Sequence, residues 1–228
     1  MTDAASPQNA LVRPIPLGHA NAFLIRGSRP ILVDTGLPGN APKILAALQA
    51  EGYKPWDLAL IIITHVHTDH FGSAAALAGA TGAPVLVHSS EADALTTGAT
   101  LPAVPASLLG RMLALMIGKH APAPGLAIKP VIRVDAPYRL DAFGIDGIVI
   151  PTPGHTRGSL SVQLATGEVI IGDLVMGMFP AHKPRLPLFA EDMDAAKKSL
   201  RTILDARPTV IYTGHGGPFT CDQLEALL

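Results

Sequence analysis

The chain is short of several residue types, and each shortage narrows what it can be. A single cysteine, Cys221, stands among 228 residues. No internal disulfide can form, which fits a reducing compartment. Charged residues are only 15%, and 17 Lys and Arg nearly balance 18 Asp and Glu for a net charge of −1. Nothing in that balance draws the chain to nucleic acid or to an anionic membrane. No run reaches the roughly 20 apolar residues of a membrane span; the nearest, Leu108 to Ile117, is short and carries Arg111. Met1 to Ala10 is polar and lacks the apolar stretch of a secretory signal. The expectation is a flexible leader at 1–10 and a cytoplasmic protein.

What is plentiful is apolar: hydrophobic residues are 48% of the chain. The length suits one well-packed domain, 11–228. Short β-branched runs bounded by Gly, Pro or Asn predict strands at 11–17, 22–26, 30–34, 58–63, 84–88, 131–134, 145–150, 160–164, 169–171 and 209–212. Helices are expected after Asn40, which can cap one carrying Pro42 in its first turn, and over 71–80, 89–97 and 193–206. Residues 98–128 interrupt this rhythm as an apolar insertion, in which Leu108, Leu109, Met112, Leu113 and Met116 recur at helical spacing. A second irregular stretch covers 174–190. Two β-sheets face to face with helices outside would satisfy the order of elements.

The chemistry is densest at Thr64-His65-Val66-His67-Thr68-Asp69-His70, directly after the apolar run Leu58 to Ile63. A buried strand that ends in such a loop aims side chains at a metal. Neutral imidazole and carboxylate suit zinc, and also iron or manganese. Three more motifs follow strand ends: Pro153-Gly154-His155-Thr156, Gly172-Asp173 and Gly214-His215-Gly216-Gly217. Together they make seven ligand candidates, enough for two metals.

His65-x-His67-x-Asp69-His70, with His155, Asp173, His215 and the upstream Asp34-Thr35-Gly36, resembles the metallo-β-lactamase superfamily over nearly the whole chain. The resemblance implies an α/β fold, the αββα four-layer sandwich of two mixed β-sheets flanked by helices. It implies that His65, His67 and His155 hold one divalent metal, that Asp69, His70 and His215 hold a second, and that Asp173 bridges them. It gives Asp34 the task of orienting a ligand histidine; read by itself, Asp34 is equally a turn-former at a strand end.

Two adjacent cations, zinc by preference with iron or manganese as alternatives, lower the pKa of a shared water, so that a metal-bound hydroxide can attack an acyl carbon. Asp69 is the expected proton carrier. The resulting expectation is a hydrolase of a small, rather apolar ester, thioester or lactone, of the hydroxyacylglutathione hydrolase or lactonase-like branch. The alternatives are an iron-dependent oxidoreductase of the same fold and, behind it, a β-lactam hydrolase. The quorum-signal lactonases carry a tyrosine three residues after the bridging Asp, where this chain has Met176. The glutathione thioesterases carry a basic cluster near the C-terminus, and no Lys or Arg follows Tyr212.

Met112, Met116, Met176, His182, Lys183 and Arg185 are candidates for contact with a small-molecule substrate. The 98–128 insertion reads either as a lid over the cleft or as a packing surface, on the core or in a homodimer. His19 reads as an ordinary surface residue. His88 reads as a residue near the site or a helix cap, and His120 falls within the insertion.

Overall fold

The structure is a computed structural model that describes residues 11–117, 123–130, 132–178 and 183–228. The expected leader at 1–10, His120 and His182 lie outside the described residues, as does the side chain of Met116.

In chain order the first half holds β1 (Val12–Pro16), β2 (Asn21–Ile25), β3 (Ile31–Val33), α1 (Ala41–Ala50), β4 (Leu60–Ile62), α2 (Thr68–Phe71), α3 (Ala74–Thr81), β5 (Val85–His88), α4 (Ala92–Thr97), α5 (Leu108–Ile117) and β6 (Ile132–Val134). The second half holds β7 (Tyr138–Arg139), β8 (Gly147–Pro151), β9 (Leu160–Leu164), β10 (Glu168–Ile170), β11 (Met176–Met178), β12 (Lys183–Arg185), α6 (Met193–Asp205), β13 (Val210–Tyr212) and α7 (Cys221–Glu225).

One sheet runs β1-β2-β3-β4-β5-β6, antiparallel up to β3 and parallel from β3 to β6. The other runs β13-β10-β9-β8-β7, with only β10 and β13 parallel. Both sheets are therefore mixed.

Side-chain alternation along the strands builds the layers. In β3, Ile31 and Val33 face the second sheet while Leu32 faces the helices. In β4, Leu60 and Ile62 point inward and Ile61 points outward, to meet Ile44 and Leu48 of α1 and Leu77 of α3. The second sheet mirrors this. Leu160 and Val162 fill the space between the sheets, and Val169 and Ile211 pack on α6 and α7 through Leu200, Ile203 and Leu224. Helix, sheet, sheet, helix is the expected αββα sandwich. A strand buried on both faces reads as an unbroken apolar run, which is why 58–63 is so conspicuous.

The structure corrects three local expectations and divides the insertion between two of its readings. The helix over 71–80 is two, α2 and α3, with Gly72 between them; a Cβ there would lie 2.4 Å from the Thr68 carbonyl oxygen and 2.6 Å from the Pro38 nitrogen. Asn40 occupies the N-cap of α1, but its side chain makes no capping bond. Ser73 Oγ does that work from across the fold, accepting from Asn40 N (2.9 Å) and Ala41 N (3.2 Å). The stretch 174–190 contains the hairpin β11–β12. Within the insertion, Leu101, Leu126 and Ile128 pack against the first core, whereas α5 leaves Leu108, Met112 and Leu115 exposed at 76%, 61% and 88%. That face covers no core.

Candidate metal centre

The site lies where strand ends of both sheets meet. The loop from β4 into α2 supplies His65, His67, Asp69 and His70; the loop between β8 and β9 supplies His155; the turn after β10 supplies Asp173; and the loop after β13 supplies His215. All seven candidates converge. His155 Nε2 is 3.0 Å from His67 Nδ1. Asp173 stands between the groups, with Oδ1 3.5 Å from His70 Nε2 and Oδ2 3.8 Å from His155 Nε2 and 3.3 Å from His215 Nε2. Asp69 Oδ2 lies 3.3 Å from His215 Nε2 and 3.9 Å from His70 Nε2. Gly214 makes room for this: a Cβ there would come within 2.3 Å of Asp173 Oδ1 and 2.6 Å of His70 Cε1.

Outer partners fix which ring nitrogen faces inward. His155 Nδ1 donates to the Phe189 carbonyl (2.7 Å) and His215 Nδ1 to the His19 carbonyl (2.9 Å). Asp34 organises two more rings. Its Oδ2 accepts from His70 Nδ1 (2.8 Å) and from Thr64 Oγ1 (2.7 Å), and its Oδ1 accepts from Thr64 N (2.8 Å). With its hydrogen given to Asp34, Thr64 Oγ1 is left to accept from His65 Nδ1 at 3.1 Å. Four imidazoles thus present Nε2 to the interior, and such outer contacts set tautomer and orientation of metal-ligating histidines. Asp34 is fully buried and adopts φ +60°, a left-handed conformation that Asp tolerates better than most residues. Of its two readings, the orienting one is what its hydrogen bonds describe.

Among the described residues, the buried atoms His65 Nε2, His67 Nε2, His70 Nε2 and Asp173 Oδ1 have no hydrogen-bond partner. Buried polar atoms are rarely left so. Ligand atoms of His65, His67 and His155 lie within 4.8 Å of one another, as do those of His65, His70 and Asp173 and those of His19, Asp69 and His215. The donor set therefore fits divalent metals of the zinc, iron or manganese type.

Protonation divides the site. Burial, reinforced by neighbouring imidazoles, holds His65 well below its ordinary value and His67 down at about 3. Burial also lowers His155. Burial works against the proton on His70 and His215 as well, but there the carboxylates win. Led by Asp173, they hold His70 well above its ordinary value and push His215 up to about 10. For Asp173, burial is overcome by His215 and His70, and its carboxyl lies well below the usual range. Asp69 is lowered too, against burial, by His70 and His215.

A cation entering beside His65, His67 and His155 meets neutral ligands. One entering beside His70 and His215 must displace protons. Zinc affinity beside His70 and His215 is accordingly expected to fall from pH 8 to pH 6, with matching proton release on binding, while any affinity beside His65, His67 and His155 changes little. Calorimetric zinc titrations at both pH values check this; equal pH slopes at the two positions would contradict it.

Two residues that sequence reasoning passed over belong to the site. His19, read as surface, has Nε2 3.4 Å from Asp69 Oδ2 and its ring edge-on to His215 at 5.2 Å. Glu91 is fully buried; its Oε2 accepts from Val66 N (2.6 Å), and its Oε1 accepts from Thr156 Oγ1 (2.5 Å) and Gly158 N (3.1 Å). It ties the loop of His65 and His67 to that of His155. Neither carries a local signal, since only tertiary structure brings them in.

The candidate substrate contacts are more scattered. Met176 pairs with Arg185 across the β11–β12 hairpin, and Gly177 N donates to the His215 carbonyl (2.7 Å). That hairpin therefore backs the His215 loop, with Lys183 and Arg185 exposed. Met112 sits on the exposed face of α5.

The sequence profile of the metallo-β-lactamase superfamily matches residues 15–215. The chain belongs to that superfamily. Among its superfamily relatives, a probable metallo-hydrolase of Bacillus subtilis is 28% identical over 227 residues, covering 88% of this chain and 82% of the relative. A probable metallo-hydrolase of Methanocaldococcus jannaschii is 28% identical over 201 residues, covering 86% and 87%. Among solved structures, the B3 metallo-β-lactamase BLEG-1 superposes with a TM-score of 0.70 at 23% identity, over 94% of this chain and 96% of that one. This last likeness speaks for the fold alone. No helix among the described residues is long and apolar enough to cross a membrane.

Proposed function

We propose that this superfamily member is a dinuclear metallohydrolase, loaded with zinc, that cleaves a small and rather apolar ester, thioester or lactone. The observation that carries the reading is the convergence of five imidazoles and two carboxylates, with the buried inner atoms of His65, His67, His70 and Asp173 left without a hydrogen-bond partner. His65, His67 and His155 would hold one ion and Asp69, His70 and His215 the other, with Asp173 between them. When bound, the ions supply a hydroxide nucleophile near neutral pH and polarise the substrate carbonyl.

The chain's own groups do the rest. Asp34 and the carbonyls of Phe189 and His19 keep the imidazoles aimed. His70 and His215 favour the ionised form of Asp69 against burial, and its side chain is 21% exposed, against 4% for Asp173, so Asp69 is the carboxylate placed to pass a proton outward.

The exposed apolar face of α5 suits an acyl or aromatic substituent. α5 follows a segment fastened beside His155: Ala106 N donates to the Leu188 carbonyl (2.9 Å) and Ala190 N to the Val104 carbonyl (2.8 Å). Deleting 106–117 is expected to raise KM roughly tenfold for substrates with an apolar acyl group, and to leave small acyl groups unaffected. Steady-state kinetics paired with sedimentation checks this. Unchanged kinetics with a smaller oligomer would assign the face to a homodimer instead.

The function itself is tested by proton release from the zinc-loaded chain at constant pH. The panel comprises thioesters, lactones, simple esters, β-lactams and phosphodiesters. An ester, thioester or lactone responder supports the reading, and a response confined to β-lactams would replace it. Silence across the panel with two ions bound would move the assignment to an iron-dependent oxidoreductase, to be assayed with iron under oxygen.

A further inference from the structure

The seven ligands expected of a two-metal site leave His19 without a task, yet its imidazole stands among them. His19 Nε2 lies 3.4 Å from Asp69 Oδ2, and the same Oδ2 lies 3.3 Å from His215 Nε2. Donors on one ion, with bonds of about 2.0–2.2 Å in tetrahedral arrangement, are separated by roughly this much. His70 is placed differently, 3.9 Å from Asp69 Oδ2 and with Nδ1 bonded to Asp34. Among the described residues, the close trio that contains Asp69 and His215 is completed by His19, not by His70.

The β1–β2 turn that carries His19 is fastened to the loop of His215. Asn21 Nδ2 donates to the carbonyls of Thr213 (3.1 Å) and Gly216 (3.0 Å), and Asn21 N donates to the carbonyl of Gly214 (2.7 Å). His215 Nδ1 closes the set on the His19 carbonyl. Four hydrogen bonds thus join the two loops and fix the His19 backbone against His215. The imidazole itself is 66% exposed at the mouth of the site, where it meets the side chains of Asp69 and His215.

From this juxtaposition we infer that His19 is a further ligand of the second metal, binding with Asp69 and His215 on the solvent side. The inference rests on the two-metal reading above. Being exposed on the open side, His19 would be the ligand able to yield its position to a substrate atom, with Asp69, His70, His215 and Asp173 left to hold the ion.

Zinc titration of the full, chelator-stripped chain against a competing chelator tests this. His19→Ala is expected to leave the first zinc unchanged and to weaken the second about tenfold or more, and His215→Ala to remove the second. A second zinc bound by His19→Ala as tightly as by the unaltered chain, with His215→Ala still losing it, would overturn the role of His19 alone. Two zincs retained by His215→Ala would overturn the assigned ligand set of the second metal, His19 included, whereas a single zinc bound by the unaltered chain would bring down the two-metal reading and this inference with it. The positive signature is His19→Cys loaded with cobalt(II). A near-ultraviolet thiolate-to-cobalt charge-transfer band, absent from the unaltered chain, is expected, and no band would refute ligation at this position. His19 is an exposed turn residue, and its substitution leaves the hydrogen bonds of Asn21 in place.

Discussion

Asp69→Ala is expected to lower turnover by about 10²–10⁴, the usual scale of a lost general acid–base group, while the fold survives. Of the two carboxylates in the cluster, Asp69 is the more accessible, and His70 and His215 keep it ionised against the cost of burial. Asp173, nearly enclosed between His70, His155 and His215, has no comparable route outward. Asp69→Asn separates two roles. It keeps an oxygen that can face a metal but cannot take up a proton at neutral pH. If Asp69 moves protons, Asn should be nearly as inactive as Ala on whichever panel substrate responds, with metal content closer to that of the unaltered chain. Substantial turnover in Asp69→Ala, with circular dichroism unchanged, would remove Asp69 from the mechanism.

Glu91 should carry the largest effect on stability and metal affinity together. Its carboxylate accepts from Val66 N, Thr156 Oγ1 and Gly158 N in a fully buried place. Truncation to Ala leaves those donors without their acceptor, and each buried unsatisfied group costs about 1–3 kcal/mol. A loss of roughly 3–5 kcal/mol is expected for the metal-stripped chain, read by urea unfolding. Glu91→Gln retains the shape but only one acceptor oxygen, so it can serve one arm and not both; about half that loss is expected. Val66 lies between His65 and His67, and Thr156 follows His155, so the whole first trio takes its spacing from this carboxylate. Zinc affinity at that position should fall about 10–100-fold in Glu91→Gln. Lowered stability with unaltered zinc affinity would mean that Glu91 braces the fold without positioning the ligands.

The legible parts of the molecule were those with local causes. Leu58 to Ile63 announces a strand because both faces of β4 are buried, and the ligand loop follows because it must begin at that strand's end. The helix α6 shows its stripe of Ala196, Leu200, Ile203 and Leu204 plainly. The hairpin β11–β12 was obscured because Pro184 and Gly177 sit inside it, residues that ordinarily argue against a strand. The break between α2 and α3 depends on the approach of Pro38, and the capping of α1 on Ser73, 33 residues away. At the site, the seven ligand candidates were readable from a motif repeated at strand ends. His19 and Glu91 were not, because a histidine after a turn glycine and an acid near a helix start look ordinary until the sheets are stacked.

One connection bears on how this chain could be re-engineered. The carbonyl that steadies His155 belongs to Phe189, and Phe189 forms an antiparallel bridge with Pro105, at the entrance to α5. The insertion and the imidazole thus share a hinge pin. A chimera that exchanged the insertion alone would inherit a mismatched partner for 188–190, and the His155 imidazole would be disturbed before any new specificity could be measured. Grafts meant to diversify this scaffold should move both strips as one cassette.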